Sequence, residues 1–361
     1  MTRVRVLIVE DSLVVSTFLE HVIDADPRLR VAGVATTAER ALELMPKLRP
    51  DVVLMDVRLP GMDGVEATRR IMQTQPTPIV VASAALADPT LQISMNALKA
   101  GALAVIEKPP GPGRDPDGRQ ARRLCTQLFI MSQLKVVRQR PIRPLTEAAP
   151  MPEVLPPDPA PRARGPGEAL PFDMLGLVAS TGGPNALAQV LSTLPADFPL
   201  PVTLVQHIGA EFAEGFAGWL GTQVRLPTSL AVNGERVRPG HIHVAPGNCH
   251  LTVRSGIIVL TDTPPVSGQK PSGTVLLNTL AECYGARAIG VVLTGMGDDG
   301  AEGLLAMRWA GAYTIAEDAS TAIVYGMPGV AARLGAARAI LPLEAIGARI
   351  LTMAGLAGTL T

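Results

Sequence analysis

A chain of 361 residues, 47% hydrophobic and 18% charged, is long enough for two cores and far from the composition of a disordered segment. Its 32 basic and 32 acidic residues cancel, which excludes a global field drawing it to nucleic acid or anionic lipid. Three cysteines, Cys125, Cys249 and Cys283, without CxxC spacing argue against a disulfide framework and a zinc ribbon and point to a reducing compartment. The opening "MTRVRVLIVED" turns acidic after one strand's worth of apolar residues and does not read as a signal peptide. No apolar run approaches the ~20 residues of a membrane span, so a cytoplasmic protein without direct membrane insertion is expected. Residues 1–138 then alternate short Val/Ile/Leu-rich strands, at 5–10, 31–35, 51–57, 78–84 and 104–108, with amphipathic segments. That alternation predicts a parallel, doubly wound α/β sheet covered on both faces. Its last helix is expected within 119–138, where Leu124, Leu128, Met131 and Leu134 recur at helical spacing.

Glu10 and Asp11 end the first of these strands and Asp56 the third, within "LMDVRLPGMDG". In a doubly wound sheet the carboxyl ends share one edge, so the three carboxylates converge where ligands bind. Such a cluster recruits a cation, and oxygen-only ligation suits Mg²⁺. Ser83 at the fourth strand end and Lys108 at the fifth add a hydroxyl and an ammonium able to hold a phosphoryl group on Asp56. A bland alternative makes each acid a solvated cap, but five residues of matching chemistry at four strand ends weigh against it. Here residues 1–138 resemble a response-regulator receiver domain. The resemblance implies a phosphoacceptor at Asp56, Mg²⁺ near Glu10 and Asp11, and switch residues Ser83 and Lys108; an aromatic often found three residues before the lysine is replaced by Val105.

From 139 to 170 nine prolines in 32 residues forbid regular hydrogen bonding and predict an extended linker. "KPPGPGRDPDG" (108–118) reads as a loop inside the first domain. From Pro171 strand and helix alternate again: "MLGLVAS", "PNALAQVLSTL", "PVTLVQH", "GFAGWLGTQ", then "AIGVVLT", "AEGLLAMRWAG", "YTIAED" and "TAIVYGMPGVAARL". Between them, "HIHVAP" and "HLTVRSGIIVLTD" read as a β-hairpin with a Ser-Gly turn. The domain over 171–361 is expected to be a mostly parallel, Rossmann-like α/β sheet with a hairpin.

Its chemistry concentrates at strand ends. "GLVASTGGPNAL" (176–187) contains neither GxxxxGK[ST] nor GxSxG. What remains is Ser180 before Gly182 and Gly183, a tight turn in which a serine meets solvent beside helix N–H groups; an ordinary strand-to-helix turn is the plain alternative. His207 closes another strand, and Asp298 and Asp299 follow a third. A serine needs an imidazole to take its proton and a carboxylate to orient that imidazole. The rival reading takes "GMGDDG" (295–300) as GxGxxG, with Glu317 and Asp318 about twenty residues on, as a dinucleotide fingerprint. Two acids inside the loop oppose a pyrophosphate there. His241 and His243, with Cys249 and His250 nearby, offer a metal-site reading against ordinary packing.

With "ASTGGP" (179–184), "QH" (206–207), "HIHVAPG" (241–247), "LTGMGDDGAEG" (293–303) and "YGMP" (325–328), the chain from 171 onward resembles the catalytic domain of the chemotaxis protein-glutamate methylesterases (CheB family). Receiver, linker and this domain are that family's layout. The resemblance implies Ser180 as nucleophile, His207 as general base and acid, Asp299 as its carboxylate partner, and the Met296 N–H in the oxyanion hole. It also implies no cofactor in the catalytic domain, methylated chemoreceptors as substrates, glutamine deamidation as a second activity, and phosphorylation by a CheA-type histidine kinase that relieves inhibition by the receiver. Two stretches depart from the family pattern, "SGQKPSGT" (267–274) and "IGAEF" after His207. Both are expected to line the substrate groove without touching the triad. They motivate one further alternative, a phosphorylation-controlled receptor-binding module without turnover.

Overall fold

The computed structural model describes residues 3–83, 96–98, 100–111, 115, 118–133 and 172–356, so the linker expected over 139–170 and Leu134 lie outside the described residues. The chain divides into two compact units, Met1–Ile142 and Arg143–Thr361.

In the first unit, strands β1 (Val4–Val9), β2 (Leu29–Ala35), β3 (Val52–Asp56), β4 (Ile79–Ser83) and β5 (Ala104–Glu107) form one sheet in the order β2-β1-β3-β4-β5. Every neighbouring pair is parallel. The apolar runs of the three central strands, β1, β3 and β4, are buried on both faces, as a parallel sheet requires, while the edge strands β2 and β5 are mostly half-buried. Helices α1 (Leu13–Asp24), α2 (Ala38–Leu48), α3 (Gly64–Thr74) and α4 (Arg119–Ser132) accompany it. The first three begin on Ser12, Thr37 and Asp63, whose side chains accept the N–H three residues on and satisfy a donor the helix itself cannot. The strand order reverses between β1 and β3, so the crevice of the sheet opens where Glu10, Asp11 and Asp56 stand.

The second unit is built on seven parallel strands: β6 (Met174–Ala179), β7 (Val202–Gln206), β8 (Thr228–Leu230), β9 (Ile242–Val244), β12 (Ala288–Val292), β13 (Tyr313–Glu317) and β14 (Ala339–Leu341), ordered β14-β13-β12-β6-β7-β9-β8. Helices α5 (Gly183–Ser192), α6 (Ala213–Gln223), α7 (Gly273–Tyr284), α8 (Ala301–Trp309), α9 (Met327–Arg333) and α10 (Leu343–Met353) alternate with them. The chain turns back between β6 and β12, which places the ends of β6, β7 and β12 around one crevice.

The hairpin is β10 (His250–Arg254) with β11 (Ile257–Thr261), antiparallel, joined by Ser255 and Gly256 with φ of 50° and 74°. Two successive positive φ values match the strands' right-handed twist. Leu251, Val253 and Ile258 of the hairpin join Leu276, Leu277 and Leu280 of α7 in one buried cluster. "HIHV" is not part of that hairpin: Ile242–Val244 pairs in parallel with β7 and β8, because its apolar residues complete the large sheet. Nor is 322–325 helical as expected, since Val324 N donates to the Thr294 hydroxyl and Val324 O accepts from Gly295 N.

Candidate active site

At the crevice of the first unit Glu10, Asp11 and Asp56 each offer an oxygen, all within 4.8 Å of one another. Glu10 and Asp56 are buried and Asp11 is exposed. The Lys108 ammonium spans the cluster, donating to Glu10 Oε2 at 2.5 Å and Asp56 Oδ2 at 2.9 Å. Burial pushes the Glu10 carboxyl above its ordinary range, reinforced by the Asp56 charge and opposed by Lys108. Ser83 stands beside Lys108, whose backbone N–H bonds the Ser83 carbonyl at 3.0 Å; among the described residues the buried Ser83 Oγ has no hydrogen-bond partner. All five predicted residues meet here. Hard oxygen donors converging on one side fit Mg²⁺, which takes one or two carboxylates and keeps several waters.

In the second unit Ser180 follows β6 in a turn closed by a bond from Gly183 N to Ser180 O at 2.8 Å. Gly182 has φ of 77°, where a side chain would be strained and its Cβ would lie 2.9 Å from Ile323. Gly295 comes closest to the serine: a Cβ there would stand 2.7 Å from Ser180 Cβ. Gln206, at the end of β7, ties this turn to the next, its amide donating to Ser180 O at 2.8 Å and His207 O at 3.1 Å. The sequence reading used Gln206 as part of a motif and gave it no role.

His207 Nε2 meets Asp299 Oδ2 at 2.7 Å, with both side chains buried. A carboxylate only accepts, so Nε2 carries the proton and Nδ1 of the neutral ring is the basic nitrogen. Nδ1 is buried, and among the described residues it has no hydrogen-bond partner, Ser180 Oγ included. In free enzymes such contacts are commonly long and tighten with substrate.

Asp299 is held from the other side by the segment expected only to line the groove, a correction to the sequence reading. Ser272 Oγ donates to Oδ1 at 2.6 Å, Gly273 N to Oδ2 at 2.6 Å and Thr274 N to Oδ1 at 3.1 Å. These are the first N–H groups of α7, where a helix end is short of acceptors and favours an anion. Burial alone would raise the Asp299 carboxyl; the His207 contact and the Ser272 and Thr274 donors outweigh it and hold it below the ordinary carboxylate range.

Met296, in the turn after β12, has a side chain 42% exposed. Among the described residues its backbone N–H has no protein acceptor. The other predicted roles separate from the site. His243 Nδ1 meets Glu235 and its Nε2 accepts from Arg238 N, while His241 Nε2 faces Ser229 Oγ and Arg238. Both nitrogens of His243 and Nε2 of His241 are thus engaged by protein, as in ordinary packing. The dinucleotide reading fails on geometry: Asp299 turns inward from the glycine loop, and Glu317 is buried with its carboxylate on Thr294 N and the Thr321 hydroxyl.

Among the described residues no helix is long and apolar enough to cross a membrane. Two family models match the chain, one described as response regulator receiver domain over residues 6–114 and one as CheB methylesterase over 175–350. A protein-glutamate methylesterase/protein-glutamine glutaminase of Paramagnetospirillum magneticum is 49% identical over 98% of each chain. One of Syntrophus aciditrophicus is 45% identical over 98% of this chain and 99% of its own. The solved CheB catalytic domain of Thermotoga maritima is 33% identical, covering 50% of this chain and 97% of that one, with a TM-score of 0.48.

Proposed function

Because the chain belongs to the receiver-linked protein-glutamate methylesterase/protein-glutamine glutaminase family, we propose that it hydrolyses glutamate γ-methyl esters of chemoreceptors with Ser180, His207 and Asp299. One observation carries the assignment of residues: the buried 2.7 Å contact of His207 with Asp299, beside the Ser180 turn, which leaves Nδ1 of the imidazole free to act as base.

Ser180 Oγ attacks the ester carbonyl as His207 Nδ1 takes its proton, and the resulting imidazolium is stabilised through Nε2 by Asp299. The Met296 N–H, at the turn facing Ser180, donates to the oxyanion. His207 then returns the proton to the leaving methoxide and methanol departs. Water attacks the acyl-enzyme with His207 again as base, restoring Ser180 and releasing glutamate. A receptor glutamine follows the same course with ammonia as leaving group, which is the glutaminase reaction.

The receiver supplies control. Asp56 takes a phosphoryl group from a CheA-type histidine kinase, and Lys108 and Ser83 hold its oxygens. Mg²⁺ held by Glu10, Asp11 and Asp56 would neutralise charge on the transferring group. Phosphorylation shifts the population toward an active esterase. The test is methanol release from membranes carrying methylated chemoreceptors, comparing the native chain with Ser180→Ala. Release that vanishes in the variant supports the triad. Equal release from both overturns Ser180 as the nucleophile, and none from either while receptor binding persists favours a binding module.

A further inference from the structure

The fingerprint acid left without a role by the esterase lies behind the site. Glu317 ends β13 and is fully buried. Its Oε2 accepts from Thr294 N at 2.7 Å and its Oε1 from the Thr321 hydroxyl at 3.1 Å. No Lys, Arg or His among the described residues forms an ion pair with it. A carboxyl without a cation is costly to bury and is tolerated where its hydrogen bonds are made. What those bonds hold is the reason to examine Thr294.

Thr294 bonds the serine turn on one side and the segment at Val324 on the other. Its carbonyl accepts from Ser180 N at 3.0 Å. Its hydroxyl donates to Thr181 O at 2.9 Å and accepts from Val324 N at 2.9 Å. Val324 O takes Gly295 N at 3.0 Å, and Gly295 O takes Met327 N at 2.8 Å. Thr294 therefore joins the serine turn to the Val324 segment, and its neighbour Gly295, at the head of the loop carrying Met296, continues the network to the start of α9. The remaining polar group of Thr294, its N–H, points to Glu317.

We propose that Glu317 is a positioning residue of the esterase, fixing Thr294 so that its carbonyl and hydroxyl set the Ser180 turn against the Met296 loop. This rests on the esterase reading of that site. The carboxyl touches neither Ser180 nor His207 and acts through Thr294 alone. Burial pushes it up to about 7; Thr294 and Thr321 oppose that, while the charges of Glu344 and Asp318 add to it. The neutral form is thereby accessible near neutral pH; it still accepts from Thr294 N and donates to the Thr321 oxygen in place of accepting from it, while the Thr321 hydroxyl turns to Asp318 O. Glutamine reproduces that form, so Glu317→Gln keeps the strut and Glu317→Ala removes it.

The experiment measures kcat and KM for methanol release from methylated chemoreceptor membranes by the full chain, with Ser180→Ala as the zero. Misplacement by a fraction of an ångström to one ångström costs up to about a hundredfold. Glu317→Ala is therefore expected to lower kcat on the order of tenfold to a hundredfold with KM within about twofold, and Glu317→Gln to restore most of that loss. Thr294→Val deletes only the hydroxyl and is expected to lower kcat in the same way. Native kcat in a folded Glu317→Ala or Thr294→Val chain overturns the proposal, as does a Glu317→Gln variant no better than alanine. If the native chain releases no more methanol than Ser180→Ala, the esterase reading itself has failed, a result distinct from all of these.

Discussion

In the proposed triad the two nitrogens of His207 divide the work. Nε2 is committed to Asp299, which leaves Nδ1 as the nitrogen to exchange a proton with Ser180. Replacing Asp299 with asparagine puts an amide where a carboxylate stabilised the imidazolium, and kcat for methanol release is expected to fall about 10³- to 10⁴-fold while the fold persists. A fall below about tenfold would remove Asp299 from the mechanism. The Asp299 carboxyl is held below its ordinary value of 3.8. Its contribution to stability is therefore present above that value and is lost as pH falls through the lower folded value. At this scale the sequence was partly legible. Ser180 and His207 could be singled out because each stands at a strand end with the right chemistry, whereas Asp299 was separated from Asp298 only by the family resemblance. Ser272 could not, because its role depends on α7 being brought against Asp299 from 27 residues away. Glu317 carried a visible signal, an acid about twenty residues after a glycine loop, that pointed to a ribose until burial showed otherwise.

The helix that holds Asp299 begins with that same serine. Ser272 Oγ accepts from Val275 N at 3.3 Å as the N-cap of α7 while donating to Asp299. Ser272→Ala thus removes a cap and a carboxylate ligand together. Thermal or denaturant unfolding is expected to show a loss of about 1 kcal/mol, with kcat reduced and threonine rescuing both; unchanged kcat would leave Ser272 a cap only. At the end of β13 the linkage has the opposite sign to that of Asp299. Glu317 rises from an ordinary 4.5 to about 7, so the native chain binds the extra proton. Stability is full below about pH 4.5 and declines as pH rises to about 7. Measured across that window, the native chain should lose stability relative to Glu317→Gln, by a few kcal/mol at most; parallel curves would contradict it. Element types were legible where periodicity was long. Strands β8 and β14, three residues each, exist through their neighbours' hydrogen bonds, and no local pattern marks so short a strand. The hairpin was readable from its Ser-Gly turn, whereas Ile242–Val244 was absorbed into it because a parallel edge partner leaves no sign in the adjacent sequence.

Each unit holds its own parallel sheet and places its chemistry at its own switch point, Glu10, Asp11 and Asp56 in one and Ser180, His207 and Asp299 in the other. The proposed triad and the acidic cluster each draw their residues from one unit, and the control proposed for the esterase is a change in population. The ammonium of Lys108 already bridges Glu10 and Asp56, and a phosphoryl group on Asp56 would compete for it with Glu10. That exchange gives the receiver two distinct charge arrangements, the minimum for a switch. A small phosphodonor with Mg²⁺ is therefore expected to raise the rate of methanol release by the full chain, and Asp56→Asn to abolish the rise while retaining the basal rate. Deleting residues 1–138 separates relief of inhibition from activation. A truncated chain faster than the unphosphorylated native one means that the receiver restrains the esterase, and one no faster than basal means that phosphorylation must supply something positive. A phosphodonor response that survives in Asp56→Asn would place the switch elsewhere than in the acidic cluster.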